Sequence, residues 1–291
     1  MKKSIFTIFI FFTLIGCERF SNHDNKSEGQ KRIVCISKQY SEIIFALGAQ
    51  QDIVAVDLSS TYPPEIKKLP TIGYHRALSA ETILAMKPTL ILHDNNIGPD
   101  HVIKQLEDLE IPMDTFSKYQ ASIEGTDSLI REIGKYFGKE KKADSLCEKL
   151  NADMKFALEN ATKYKTKPKV LIIHFGRANN VYLVMTKKSN AAKMLEWAGG
   201  EVAVEDEKGM KQLSPEIIAK ADPDIILLTD FGYDKLKGGK EINLLPGISS
   251  TKAYKNNYIF RIEEHDLVYL GPRTGENVLL IQKLIHPNEK K

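Results

Sequence analysis

The sequence contains no C-x-x-C pair, no GxGxxG or GxxxxGK(S/T) loop, no HExxH and no GxSxG. It therefore lacks the usual signs of a zinc knuckle, a nucleotide site, a zinc protease and a serine hydrolase. Its three cysteines are too few and too far apart for a disulfide framework, and tryptophan occurs once. Charge of one sign is also missing. The formal net charge is +3 over 291 residues, and lysines and arginines are scattered with no aromatics set among them, so nucleic acid is not an expected partner. The longest apolar run, Ile5 to Ile15, has 11 residues, well short of the roughly 20 needed to span a bilayer.

That run nevertheless reads as a signal. Met1-Lys2-Lys3 is a short basic start and Ile5 to Ile15 an apolar core, as in a secretory leader. It ends in Leu14-Ile15-Gly16-Cys17, which resembles a lipobox. The resemblance implies cleavage before Cys17, lipidation of that cysteine and attachment to a membrane by acyl chains. Removal of residues 1–16 lowers the net charge to +1. Glu18 to Lys31 is polar, with Phe20 its one bulky apolar residue, and reads as a tether. Cys35 and Cys147 sit in apolar patterns and are expected as small buried hydrophobes.

The body of the chain reads as a duplication. Leu78-Ser79-Ala80-Glu81 is followed seven residues after the Glu by Pro88, then Leu90-Ile91-Leu92. Leu213-Ser214-Pro215-Glu216 is followed at the same distance by Pro223, then Ile225 to Leu228. In each copy a serine N-cap opens a short helix with an acid in its first turn, and the proline loop leads to a buried strand. A second pair matches. Ile43 to Gly48 precedes Ile53 to Val56, and Met194 to Gly199 precedes Val202 to Val204, each a helix closed by glycine before a strand. Arg32 to Ile36 and Lys169 to Ile173 open the two halves. The expectation is an α/β fold of two doubly wound lobes with mostly parallel sheets. From Lys139 to Tyr164, Ala143, Leu146, Cys147, Leu150, Met154, Ala157, Leu158 and Ala161 share one face without a break by Gly or Pro. This predicts one long interlobe helix of roughly 39 Å. The division is then 1–16 signal, 17–31 lipidated cysteine and tether, 32–120 first lobe, 121–166 connecting helices and 167–287 second lobe.

Together these features resemble the cobalamin and ferric-siderophore class of binding proteins of ABC importers. The local motifs resemble its haemin-binding branch: Leu69-Pro70-Thr71-Ile72-Gly73-Tyr74-His75-Arg76-Ala77-Leu78-Ser79-Ala80-Glu81, the Gly98-Pro99 loop, and Gly271-Pro272-Arg273-Thr274. His75 stands where the branch usually has an apolar residue, and Tyr269-Leu270 where an extra glycine is common.

The resemblance implies haem as transported ligand and Tyr74 as its iron ligand. A phenolate is a hard donor suited to ferric iron, and a neighbouring guanidinium is expected to lower its pKa. Arg76, two residues on, is placed as a partner of that phenolate or as a clamp on a propionate. His174 is expected at the carboxyl end of a strand, facing the cleft, and the resemblance makes it the opposing iron ligand. Arg177 and Arg273 are further candidate propionate contacts. His75 and His265 are alternative ligands, and Met185, Tyr233 and Tyr269 candidate walls. Glu81 and Glu216, in matching slots of the two lobes, are implied to dock on the two subunits of an ABC permease. A carrier of a siderophore or of cobalamin stays open as an alternative. A bare-metal carrier fits poorly with seven dispersed histidines, and an extracytoplasmic enzyme has no evident nucleophile or base.

Overall fold

The computed structural model describes residues 31–177 and 179–289. The signal, Cys17 and most of the tether lie outside the described residues. Among those described, no helix is long and apolar enough to cross a membrane.

The first lobe is built from β1 (Ile33–Ile36), α1 (Lys38–Ala46), β2 (Ile53–Val56), α2 (Ala80–Ala85), β3 (Leu90–His93), α3 (Asp100–Asp108) and β4 (Met113–Asp114). Its four strands are all parallel, in the order β2-β1-β3-β4. Two helices follow, α4 (Ile123–Tyr136) and α5 (Glu140–Ala161). The second lobe comprises β5 (Lys169–Gly176), β6 (Val181–Met185), α6 (Asn190–Trp197), β7 (Glu201–Val202), β8 (Met210–Gln212), α7 (Pro215–Ala221), β9 (Ile225–Thr229), α8 (Asp230–Lys235), α9 (Lys252–Lys255), β10 (Ile259–Ile262), α10 (Glu264–Val268) and α11 (Thr274–Ile285). Its sheet runs β10-β9-β5-β6-β8, with β7 also paired to β5. β10, β9, β5 and β7 are parallel; β6 and β8 are antiparallel additions. The expected fold class is borne out, and the antiparallel edge is the feature the pattern did not show.

The strands are continuous apolar runs because both faces of each sheet are covered. Alternate residues separate into different cores. Ile33, Cys35, Leu90 and Leu92 point into a core that continues through α5 to Val170, Ile172, Ile225 and Leu227 of the second lobe. Val34, Ile36 and Ile91 face a core private to the first lobe. Leu171, Ile173, Ile226 and Leu228 face one private to the second. The period-2 alternation of side chains thus decides which residues join the lobes and which belong to one lobe.

The local signals act as expected with small shifts. Ser214 Oγ accepts from Ile217 N at 3.4 Å at the start of α7. Ser79 occupies the matching N-cap of α2 but makes no side-chain bond there. Gly48 and Gly199 close α1 and α6 with φ of +68° and +84°. α5 has 22 residues, about 33 Å of helix rather than the longer rod predicted. Its buried stripe is Ala143, Cys147, Leu150, Met154, Ala157 and Asn160. Leu158 was expected on that stripe but is exposed. Asn160 lies there instead and donates to Gln282 Oε1 of α11 at 2.5 Å.

Two glycines let neighbouring helices approach α5 closely. A Cβ on Gly134 of α4 would lie 2.5 Å from the Ala143 Cβ, and one on Gly275 of α11 would lie 2.5 Å from the Asp153 Cβ and 2.7 Å from its carbonyl carbon. The second contact is with backbone, which cannot swing aside. Gly275→Ala is therefore expected to destabilise by about 1–3 kcal/mol, the usual cost of overpacking. The measurement is urea unfolding; a midpoint equal to that of the unsubstituted protein would show that α11 shifts freely on α5.

Candidate functional site

The loops that leave the carboxyl ends of the strands in both lobes meet across one cleft, the position at which open α/β sheets bind ligands. After β2, Asp57 is buried and collects four donors. Ser59 N and Ser59 Oγ bond to it, Ser60 Oγ donates at 2.5 Å, and His75 Nδ1 stands 3.3 Å away. Burial opposes the charge on Asp57, but these hydrogen bonds prevail and hold its pKa below the ordinary value. The Tyr74 loop is laid along this segment by Ile72 N to Val56 O and Leu58 N to Gly73 O, at 3.0 and 2.8 Å. Gly73 has φ +93°, a left-handed conformation glycine adopts without penalty, and it turns the chain so that Tyr74 follows directly. Leu58 is exposed beside this loop.

From the second lobe come Arg177, beyond the end of β5, and Phe231 of α8. The Arg177 guanidinium carbon lies 3.1 Å from the Phe231 ring centroid and 6.0 Å from that of Tyr74. Its Nη1 is buried and lacks a hydrogen-bond partner among the described residues. Tyr74 is half-buried, and burial, then the charge of Glu264, raise its pKa; Lys38, Arg76 and Arg177 act in the opposite direction. The expected lowering by a nearby guanidinium is therefore present but outweighed in this closed cleft. Beneath Tyr74, Lys38 Nζ donates to Glu264 Oε2 at 2.8 Å and lies 4.4 Å from the Tyr269 ring centroid. Asp230 is pushed up to about 6 by burial. A groove of about 850 Å³ lies between the lobes, with Tyr40, Arg76, Phe116, Tyr119 and Tyr269 on its walls; it shares Tyr269 with the Lys38 contact but is not lined by Tyr74 or Arg177.

Of the expected site residues, Tyr74 and Arg177 face each other. Arg76 is exposed and donates to Asn96 Oδ1 at 2.5 Å, so its immediate partner is the loop after β3 and not the phenol. His174 does not end its strand. β5 continues to Gly176 because it pairs with β6, His174 opposite Leu183, and the imidazole is buried with Nδ1 3.2 Å from Thr229 Oγ1 and 3.9 Å from Glu264. Burial lowers its pKa, against the charge of Glu264, and so favours the uncharged ring. Arg273 has no free fork for a propionate: Nε donates to Glu42 Oε1 at 2.9 Å and Nη2 to Asp266 Oδ1 at 2.8 Å. His265 is also committed, through Nε2, to Glu42. Met185 is fully buried in the shared core and walls nothing. Tyr233 packs on the second lobe's own core, whereas Tyr269 lines the cleft. Glu81 and Glu216 are exposed in the first turns of α2 and α7. Among the described residues no group of three or more His, Cys, Asp or Glu is arranged to hold a metal ion.

Asp57, Lys38, Phe231 and Glu264 were not anticipated. All four follow strand ends, at β2, β1, β9 and β10, so the rule that pointed to His174 applied equally to them.

Two α/β lobes joined through a common core, with strand-end loops facing each other over a cleft, define a two-lobed ligand-capturing protein. The chain belongs to the periplasmic binding protein family, which matches residues 33–265. A substrate-binding lipoprotein of an ABC transporter, YvrC of Bacillus subtilis strain 168, is 31% identical over 264 residues, covering 90% of this chain and 82% of its own. The high-affinity heme uptake system protein IsdE of Staphylococcus aureus strain MRSA252 is 29% identical over 262 residues, with 86% and 85% covered. Among solved structures, the periplasmic heme-binding protein RhuT of Roseiflexus sp. RS-1 in apo form superposes with a TM-score of 0.79 at 32% identity, over 89% of this chain and 99% of its own. HutB of Vibrio cholerae, also a periplasmic heme-binding protein, gives 0.72 at 29% identity, over 89% and 100%.

Glu42 generates the prediction of this section. Burial alone would raise its pKa, but hydrogen bonds and charge from His265 and Arg273 lower it. Its contribution to stability is complete above the unfolded value of about 4.3 and is lost as pH falls through the lower folded value. Glu42→Gln is expected to cost about 3–5 kcal/mol at neutral pH, as when one partner of a buried ion pair is removed, and to flatten the loss of stability below that pH. Urea unfolding from pH 7 to pH 3 measures both; parallel curves for the two proteins would refute the assignment.

Proposed function

We propose that this protein captures haem outside the cytoplasm and delivers it to an ABC permease for haem and iron uptake. One observation carries the reading. A half-buried phenol from one lobe confronts a guanidinium from the other, 6.0 Å from its ring centroid, with a buried nitrogen left without a partner among the described residues. An anionic iron ligand and a ligand carboxylate are the two groups such a pair accommodates. Relatives named for heme uptake and heme binding support it.

Tyr74 is the iron ligand from the first lobe. Iron replaces the phenolic proton, which burial otherwise retains. His174, whose uncharged form burial favours, is the opposing ligand from the second lobe. Arg177 and Arg76 meet the propionates, and Leu58 and Tyr269 supply apolar surface for the macrocycle. The protein acts as a carrier and performs no chemistry on the ligand. Cys17 is the lipid anchor that holds it at the outer face of the cell membrane or in the periplasm. Glu81 and Glu216, one per lobe, dock on the two subunits of the permease.

Titration of residues 18–291 with hemin is expected to give saturable Soret and tyrosinate charge-transfer bands. Tyr74→Ala should abolish the charge-transfer band and raise the Kd about 100-fold, roughly 2.7 kcal/mol. His174→Ala should alter the Soret maximum while leaving the tyrosinate band. No saturable hemin binding by the unsubstituted protein would redirect the assignment to a ferric siderophore or cobalamin. Charge reversal at both Glu81 and Glu216 should leave hemin affinity unchanged and remove stimulation of the reconstituted transporter's ATPase; full stimulation would exclude them from docking.

A further inference from the structure

Tyr74 is followed by a histidine that the proposed chemistry does not use. Its ring is fixed more firmly than that of Tyr74 itself. His75 is buried, and Nδ1 lies 3.1 Å from Ser59 Oγ and 3.3 Å from Asp57 Oδ2. Its carbonyl accepts from Gly98 N at 2.9 Å. Backbone and side chain are therefore held by two different loops, one after β2 and one after β3. The imidazole in turn packs on the Tyr74 ring, with centroids 4.3 Å apart and planes at 55°.

We infer that His75 is a positioning residue for Tyr74: anchored by Asp57 and Ser59, its ring sets the direction of the phenol before the ligand arrives. The inference rests on the haem reading of the cleft. The backbone around Tyr74 is held by Leu58 N to Gly73 O and Ala77 N to Tyr74 O, both at 2.8 Å, but these bonds do not fix the direction of the ring. The phenol needs a surface to lean on, and the fixed imidazole is that surface. A ligand held in the correct direction loses less freedom when the iron binds. Partners that orient a metal ligand typically change affinity about 10- to 100-fold when removed. Asp57 acts one step further back. Apart from His75, its charge is satisfied by three donors from Ser59 and Ser60, so it can hold the imidazole without itself moving.

The test uses His75→Phe, which keeps a flat ring but cannot bond to Asp57, and Asp57→Asn, which keeps the shape and removes the charge. Hemin-loaded protein is mixed with excess apomyoglobin and the transfer rate is measured, alongside the energy of the tyrosinate charge-transfer band. The expected result for both variants is transfer about 10-fold faster or more and a shifted band, with His75→Gln, which restores a donor near Asp57, recovering part of the change. Thermal unfolding separates stability from positioning. A lowered Tm with an unshifted band and unchanged transfer would overturn the inference, since His75 would then only support the loop. A Soret band lost in His75→Phe but kept in Tyr74→Ala would also overturn it, because His75 would itself be the ligand. Failure of the unsubstituted protein to bind hemin would instead remove the haem reading, a result distinct from either.

Discussion

Glu42 keeps its charge while only 4% exposed, and the relation between the lobes depends on how that charge is satisfied. Isolated in such a place, a carboxylate would take up a proton. It stays ionised because Arg273 and His265 of the other lobe enclose it, with Tyr62 covering the guanidinium at 3.4 Å. The same helix places Lys38 against Glu264 and Gln39 against the carbonyl of Leu270. Three side chains within the first turns of α1 thus reach α10 and the loop beyond it. The floor of the cleft, on which Tyr74, Lys38 and Tyr269 converge, is held by this contact.

Beside this contact the lobes are joined by apolar packing. α5 lies against α4 and α11, and the core it completes runs without interruption from the first sheet to the second. Charge near the cleft and hydrocarbon along the rod divide the work sensibly. Ion pairs demand direction and so define how the strand-end loops face one another, whereas dispersion and burial are non-directional and supply cohesion. Gly134 and Gly275 mark where that cohesion requires the helices to come closest.

Much of the fold was legible because its signals are local. Serine, acid, proline and apolar strand recur at the same spacing before β3 and β9, and glycine closes α1 and α6 as read. The stripe of α5 followed the helical period until Leu158, where a turn of drift and a buried Asn160–Gln282 bond exchange a hydrophobe for an amide. The site was less legible. Tyr74 and Arg177 were singled out and do face each other, but Arg273 looked like a free cation because Glu42, its partner, lies 231 positions away. His174 looked like a strand end because the unbroken aliphatic run stops at Ile173; the turn residues Gly176 and Asn179-Asn180, which mark the hairpin to β6, were not weighed. Lys38, Asp57 and Glu264 were passed over because single charged residues after strands are common, and only the folded chain shows which of them converge.

The rod between the lobes also bears on communication. Halves that share a core and are tied through Glu42 cannot swing apart without exposing that core and separating those charges. A signal that the cleft is occupied would then have to be carried by side chains at its rim, such as Arg76 and Tyr119, rather than by movement of the lobes.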